Sequence, residues 1–112
     1  MTKFVGGGLE KGEGIGDALK REFKEEMDIE IELESLFYIN DFLQISAFNP
    51  KDQLISIYYL VKTSDWKKVE YCIKHPKKEQ SFKWVKRKAL SDKLVTFSID
   101  KIVIALLGKK KE

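Results

Sequence analysis

The sequence predicts a mixed α/β (α+β) fold, and three observations carry that expectation. Residues 16–27 are dominated by Ala, Leu, Lys, Arg and Glu, which lose least on entering a helix. From Glu30 the pattern changes to alternation, with Ile31 and Leu33 followed by Leu36, Phe37, Tyr38 and Ile39, the periodicity of a strand. Near the C-terminus Ile99, Ile102, Val103, Leu106 and Leu107 recur at helical spacing on one face.

Taken in order, the chain opens on residues 2–5, which read as the end of a strand. Gly6-Gly7-Gly8 follows, a place where backbone can approach a ligand closely. The helix over 16–27 comes next, then the alternating strand. Residues 41–48 continue extended, and Asn49-Pro50-Lys51-Asp52 reads as a turn with Pro at its second position. Residues 53–62 return as a strand, so 42–62 is expected to form an antiparallel hairpin. Residues 63–80 are polar and lysine-rich and receive no assignment. A short strand is expected over 81–86, a turn of helix over 87–92, and a last helix over 99–107, with Ser98 or Asp100 as its cap and Gly108 as its stop.

A length of 112 residues suits one domain, residues 1–112. Apolar residues at 43% and charged residues at 35% give a soluble globular composition, with no run long enough to cross a bilayer. The first ten residues hold no apolar stretch of signal-peptide length. One cysteine, Cys72, makes no internal disulfide, which points to a reducing cytoplasm and to a small buried or half-buried role. The net charge of +3 comes with lysine clusters in the second half, among them Lys67-Lys68, Lys77-Lys78 and Lys109 to Lys111. A solvated surface accounts for them. The alternative, attraction of a polyphosphate or nucleic acid, lacks the interleaved Arg and aromatic pattern of a dedicated nucleic-acid surface.

The helix over 16–27 carries the chemistry. With about 100° per residue, Glu22, Glu25 and Glu26 share one sector roughly 100° wide. Leu19, Phe23 and Met27 form an adjacent apolar stripe, and Lys20 and Lys24 fall on the far side. Like charges at spacings of three and four repel. Such a cluster beside a buried stripe calls for a compensating cation, and a hard divalent ion with oxygen ligands fits it. The plainer reading is a solvated acidic face partly neutralised by Arg21, Lys20 and Lys24.

The residues upstream favour the first reading. The segment runs Gly7, five residues, Glu13, seven residues, Arg21, Glu22, Phe23, Lys24, Glu25, Glu26, Met27, Asp28, Ile29. This closely resembles the Nudix box, Gly, x5, Glu, x7, Arg-Glu-apolar-x-Glu-Glu-x-Gly-apolar. So many specified positions at fixed spacing are far more informative than a lone glycine motif. One fixed position differs: Asp28 stands where the family usually has Gly, just past the helix end. A left-handed conformation is wanted there, and Asp enters it more readily than most residues.

The resemblance implies a Nudix-like mixed β-sheet sandwiched between helices, with the box as loop-helix-loop. The box begins almost at Met1, where two strands and a turn would need roughly 15–30 residues, so the resemblance carries the expectation of an N-terminally shortened relative or of a sequence that starts at an internal methionine. It implies a hydrolase that cleaves the diphosphate linkage of a nucleoside diphosphate-X substrate by metal-activated attack of water, with Mg2+ as cofactor and Mn2+ as a substitute. Glu22, Glu25 and Glu26 match the metal-binding carboxylates, and Arg21 and Glu13 match a pair that braces loop against helix. Gly7 and Gly8 are expected at the substrate, and Glu79 is the candidate for a later carboxylate acting as general base, against a surface role. His75, before Pro76 in a polar loop, reads as a surface residue. Tyr58, Tyr59 and Phe37 read as strand residues of the core or half-core, one of which could stack on a base. The alternative is a Nudix-like binding or regulatory module with little or no hydrolytic activity. The expected partners are a nucleotide-like diphosphate and a second copy of the chain in a homodimer through residues 2–5 or 54–61, with no membrane contact and nucleic acid disfavoured.

Overall fold

The helix expected over 16–27 forms as α1, Ile15–Met27, in a computed structural model that describes residues 3–77, 80–85 and 89–109. Gly14 is its N-cap, and the Asp17 carboxylate accepts from the Gly14 N–H at 3.2 Å, tying the first turn back onto the entering loop. The helix ends at Asp28, which adopts φ 57° and ψ 39°, the left-handed conformation anticipated there, and donates its N–H to the Lys24 carbonyl at 3.0 Å. The Asp28 carboxylate then meets Lys24 Nζ at 3.0 Å and Lys68 Nζ at 3.7 Å. A short polar side chain in the left-handed region is thereby held from two sides.

The apolar stripe of α1 packs as its spacing predicts. Met27, Ile29 and Ile31 join Val69 in a buried cluster, and Leu19, Phe23, Val61, Cys72, Ile73 and Phe82 pack against it. Close approach has a cost at one residue: a Cβ on Gly16 would lie 2.8 Å from Leu33 Cδ1. Glycine at this position lets the first turn of α1 sit against the strand that follows.

That strand is β1, Glu32–Ile39, and it pairs antiparallel with β2, Ile57–Lys62, in register from Glu32 opposite Lys62 to Ile39 opposite Ile57. Two register shifts, between Leu33 and Ser35 and between Leu36 and Tyr38, interrupt the ladder. Among the described residues the sheet has these two strands. The chain is thus of mixed α and β content, as its sequence predicts. The expected hairpin over 42–62 needs correction. Its turn is present, with Asp52 N–H donating to Asn49 O at 3.0 Å, and a single antiparallel bridge joins Ile45 to Gln53. Residues 57–62, however, pair with β1. Asn40 explains the difference. It is buried, its side-chain amide donates to Phe42 O at 2.9 Å and Leu54 O at 3.3 Å, and its Oδ1 accepts from Ser56 N–H at 2.6 Å. One side chain closes both ends of a projecting arm, residues 41–56, and releases β2 to continue alongside β1.

The unassigned stretch contains α2, Trp66–Lys74. Val69, Cys72 and Ile73 face the core at helical spacing, and Cys72 Sγ lies 3.4 Å from Met27 O. Asp65 enters this helix, and its carboxylate accepts from Glu30 N–H at 2.8 Å, linking the end of α1 to the start of α2. A short 3-10 turn, Asp92–Leu94, precedes α3, Ser98–Lys109. Helix α3 buries Ile99, Val103 and Ile104, whereas Ile102 is exposed, so its inner face is rotated from the predicted stripe. Asp100, also buried, accepts from the Tyr58 hydroxyl, which turns the face toward β2. Helix α3 runs through Gly108 to Lys109 instead of stopping at Gly108.

Two expected strands are absent among the described residues. Residues 3–5 are extended or bent without sheet pairing, and 81–85 lie outside any strand. Phe4 packs edge-on against Tyr58, with ring centroids 5.9 Å apart, so the opening segment is anchored by a ring contact and not by a ladder. No helix among the described residues is long and apolar enough to cross a membrane.

Candidate active site

The glycine-rich loop folds back over α1 because Arg21 gathers it. Arg21 Nη2 donates to Gly8 O at 3.0 Å and to Glu13 Oε1 at 2.7 Å, while Nε donates to Glu13 Oε2 at 3.1 Å. The guanidinium thus engages both Glu13 oxygens in the paired geometry that arginine favours with carboxylates. Its Nη1 donates to Glu22 Oε1 at 2.8 Å and reaches Glu25 Oε2 at 3.4 Å. Glu13 Oε1 also accepts from Glu10 N–H at 2.8 Å, which fixes the turn ahead of the helix. Hydrogen bonding from Arg21, and then from the Glu10 backbone, holds the Glu13 carboxyl below the usual carboxylate range. Hydrogen bonds to Glu13 first and then to Glu22, with the charge of Glu10, hold the Arg21 guanidinium even more firmly protonated than usual.

Gly7 sits where the Glu22 carboxylate needs room. A Cβ there would stand 2.6 Å from Glu22 Cδ, so any side chain would push loop and carboxylate apart. The spacing from Gly7 to Glu22 therefore has a steric cause as well as a sequence pattern.

Glu26 lies one turn further along the same face. Its Oε1 accepts from Gln80 Nε2 at 3.3 Å, and its Oε2 is inaccessible to solvent and has no hydrogen-bond partner among the described residues. Burial, the largest influence, pushes the Glu26 carboxyl above its ordinary range, and the neighbouring charges of Glu22 and Glu25 push the same way. Gln80 and Lys3 oppose them. A buried carboxylate oxygen without a partner is costly, and a cation or a bound water is the usual remedy.

The three box glutamates differ in surroundings. Glu22 is mostly covered, at 14% side-chain exposure, Glu26 is half-buried, and Glu25 is exposed at 59%. Among the described residues no group of three or more His, Cys, Asp or Glu side chains is close enough together to hold a metal ion. The donor set still suits a hard divalent cation. All donors are oxygens, one is an orphan, and magnesium commonly takes only one or two carboxylates with waters and substrate phosphates.

The other expected site residues fall as follows. Gly8 lends its carbonyl to Arg21 and is otherwise open, with nothing within 4 Å of where a Cβ would be. Glu79 lies outside the described residues. His75 is exposed and stacks on Tyr71, with centroids 4.2 Å apart, in a surface position. Phe37, Tyr58 and Tyr59 are half-buried strand residues. Sequence reasoning missed Gln80, which the chain brings to α1 across 54 residues. A glutamine in a polar stretch carries no signal by itself.

A family model for the NUDIX domain matches residues 1–106. No curated protein and no solved structure matches the chain. The loop-and-helix arrangement around Arg21 is the structural form of the spacing read from Gly7 to Ile29, and the match extends over almost the whole sequence. The protein belongs to the Nudix family of pyrophosphohydrolases.

Proposed function

We propose that the chain hydrolyses the diphosphate linkage of a nucleoside diphosphate-X substrate in the presence of Mg2+, with Mn2+ able to substitute. The observation that carries this reading is the unpartnered, buried Oε2 of Glu26 on the helix face that also bears Glu22 and Glu25. Glu22, Glu25 and Glu26 are the carboxylates that would hold the cation, one or two at a time, with waters and substrate phosphates in its other positions. When bound, it neutralises charge on the phosphate oxygens. The chain's own residues then have separable tasks. Gly7 and Gly8 let the diphosphate approach the backbone. Arg21 and Glu13 keep that loop clamped on α1, so the carboxylates and the loop hold one geometry. In the reaction a water oxygen forms a bond to one phosphorus as the bridging P–O bond breaks, and a carboxylate accepts the water proton. That carboxylate is a box glutamate or Glu79. The single free cysteine, half-buried Cys72, is compatible with a reducing cytoplasm.

A panel of nucleoside triphosphates, ADP-ribose, dinucleoside polyphosphates and capped RNA, each with Mg2+ and with Mn2+, tests the proposal. We expect cation-dependent release of a mononucleotide product from at least one of them. If all stay intact while the protein still melts at a higher temperature with Mg2+, the chain is a binding module and the hydrolytic reading fails.

A further inference from the structure

We infer that Gln80 is a positioning residue for cation binding, holding the Glu26 carboxylate in the orientation that leaves its Oε2 free. This inference rests on the metal-site reading above. The observation is a division of labour on one carboxylate. Gln80 Nε2 donates to Glu26 Oε1 at 3.3 Å, and Oε2 is buried with no partner among the described residues. A glutamate side chain has several rotors, and fixing them on binding a cation costs affinity unless they are fixed beforehand. The Gln80 amide fixes them beforehand.

Gln80 is itself held. Its N–H donates to Lys77 O at 3.2 Å, and Lys77 and Gln80 form an antiparallel bridge, so the backbone that carries the amide is tied to Lys77. Lys77 follows α2, which packs on the buried cluster through Val69. The support therefore runs from the core, through α2 and the Lys77–Gln80 bridge, to one oxygen of Glu26. Groups that orient a metal-binding carboxylate typically affect metal affinity about 10- to 100-fold. An amide also leaves the carboxylate's charge intact, where an arginine or lysine at this position would compete with the cation for it.

The test is Mn2+ titration of the full chain, followed by electron paramagnetic resonance, with melting temperature measured separately in chelator. Gln80→Met keeps length and removes the donor. We expect it to weaken Mn2+ binding by about tenfold, with the metal-free melting temperature unchanged. Should Gln80→Met melt lower without metal, Gln80→Ser supplies the same comparison at a more polar side chain. Glu26→Gln is the control. If Glu26→Gln loses Mn2+ binding and the Gln80 variants bind as wild type, the positioning role is overturned and the metal site stands. If Glu26→Gln also binds Mn2+ as wild type, the metal-site reading fails and this inference fails with it.

Discussion

Two regions of the chain handle polar and apolar groups in opposite ways. The loop and helix from Gly6 to Met27 concentrate charge: one arginine joins Gly8, Glu13 and Glu22, and every contact has a fixed spacing in sequence. The arm over residues 41–56 carries few charges and leaves apolar side chains in the open, with Leu43 67% and Ile55 75% exposed. Asn40 organises the arm as Arg21 organises the loop, but it does so only at the base. Charged contacts are concentrated where the glycine loop is clamped on α1, whereas Asn40 ties the arm at its base and the arm presents apolar side chains.

The largest effect should come from the charged region. Glu26→Gln preserves shape and removes the charge a cation needs, and Glu25→Gln does the same on the exposed edge. Both are expected to lower cation-dependent hydrolysis by more than about a hundredfold, since even groups one step removed from a metal cost 10- to 100-fold. Far-ultraviolet circular dichroism should remain that of the wild type. Full turnover by both variants would remove the box carboxylates from the reaction.

Next comes the clamp. Arg21→Met releases Gly8, Glu13 and Glu22 together, and activity is expected to fall by about tenfold or more. A pH scan sharpens the point. In the folded protein Arg21 holds the Glu13 carboxyl below its ordinary value of 4.5. The unfolded chain therefore binds the proton more readily, and the pair contributes stability that is fully present above pH 4.5 and disappears as pH falls through the depressed folded value. Arg21 stays protonated throughout and adds no slope of its own. The difference in melting temperature between wild type and Arg21→Met should be constant from about pH 5 to about pH 8 and shrink below about pH 4.5. A difference that persists undiminished at about pH 3 would show that Arg21 stabilises by packing and not through Glu13.

The same contrast governs what the sequence reveals. The box was legible because its residues act through spacing: Gly7 must spare room for Glu22, and Glu13 must meet Arg21 two turns along the chain. Helix α1, β1 and α3 were legible from composition and period. Helix α2 was hidden because its core positions Val69, Cys72 and Ile73 are interleaved with exposed Trp66 and Tyr71 and with lysines, which blurs the helical period. The pairing of β2 depends on Asn40, whose partners lie 2, 14 and 16 residues away. A single buried amide redirects a strand without altering any local pattern. Gln80 was invisible for the same reason, since its role exists only once α2 and the Lys77–Gln80 bridge are placed.

The smallest effect on the folded chain, and the last test, concerns the arm. Leu43 and Ile55 belong to no buried cluster, so Leu43→Ser with Ile55→Ser should change stability by no more than about 0.5 kcal/mol each and leave hydrolysis at the wild-type rate. Their effect should appear in assembly. A two-fold homodimer was expected through residues 2–5 or 54–61, and the two places now differ in merit. Residues 3–5 offer no paired strand, and Phe4 is engaged with Tyr58. Leu54 and Ile55 are exposed at the arm's base, and residues 53–61 carry no charge, so two copies can meet there without opposing their net charge of +3 across the contact. A closed pair covers the same apolar surface on both copies at once. Light scattering behind size exclusion at micromolar concentration should therefore give a dimer for the wild type and a monomer for the double variant, with equal hydrolytic rates per chain. A wild-type monomer would sink the dimer. A double variant that stays dimeric would move the contact off the arm, and a double variant that loses activity would mean that the arm and the Arg21 region are coupled.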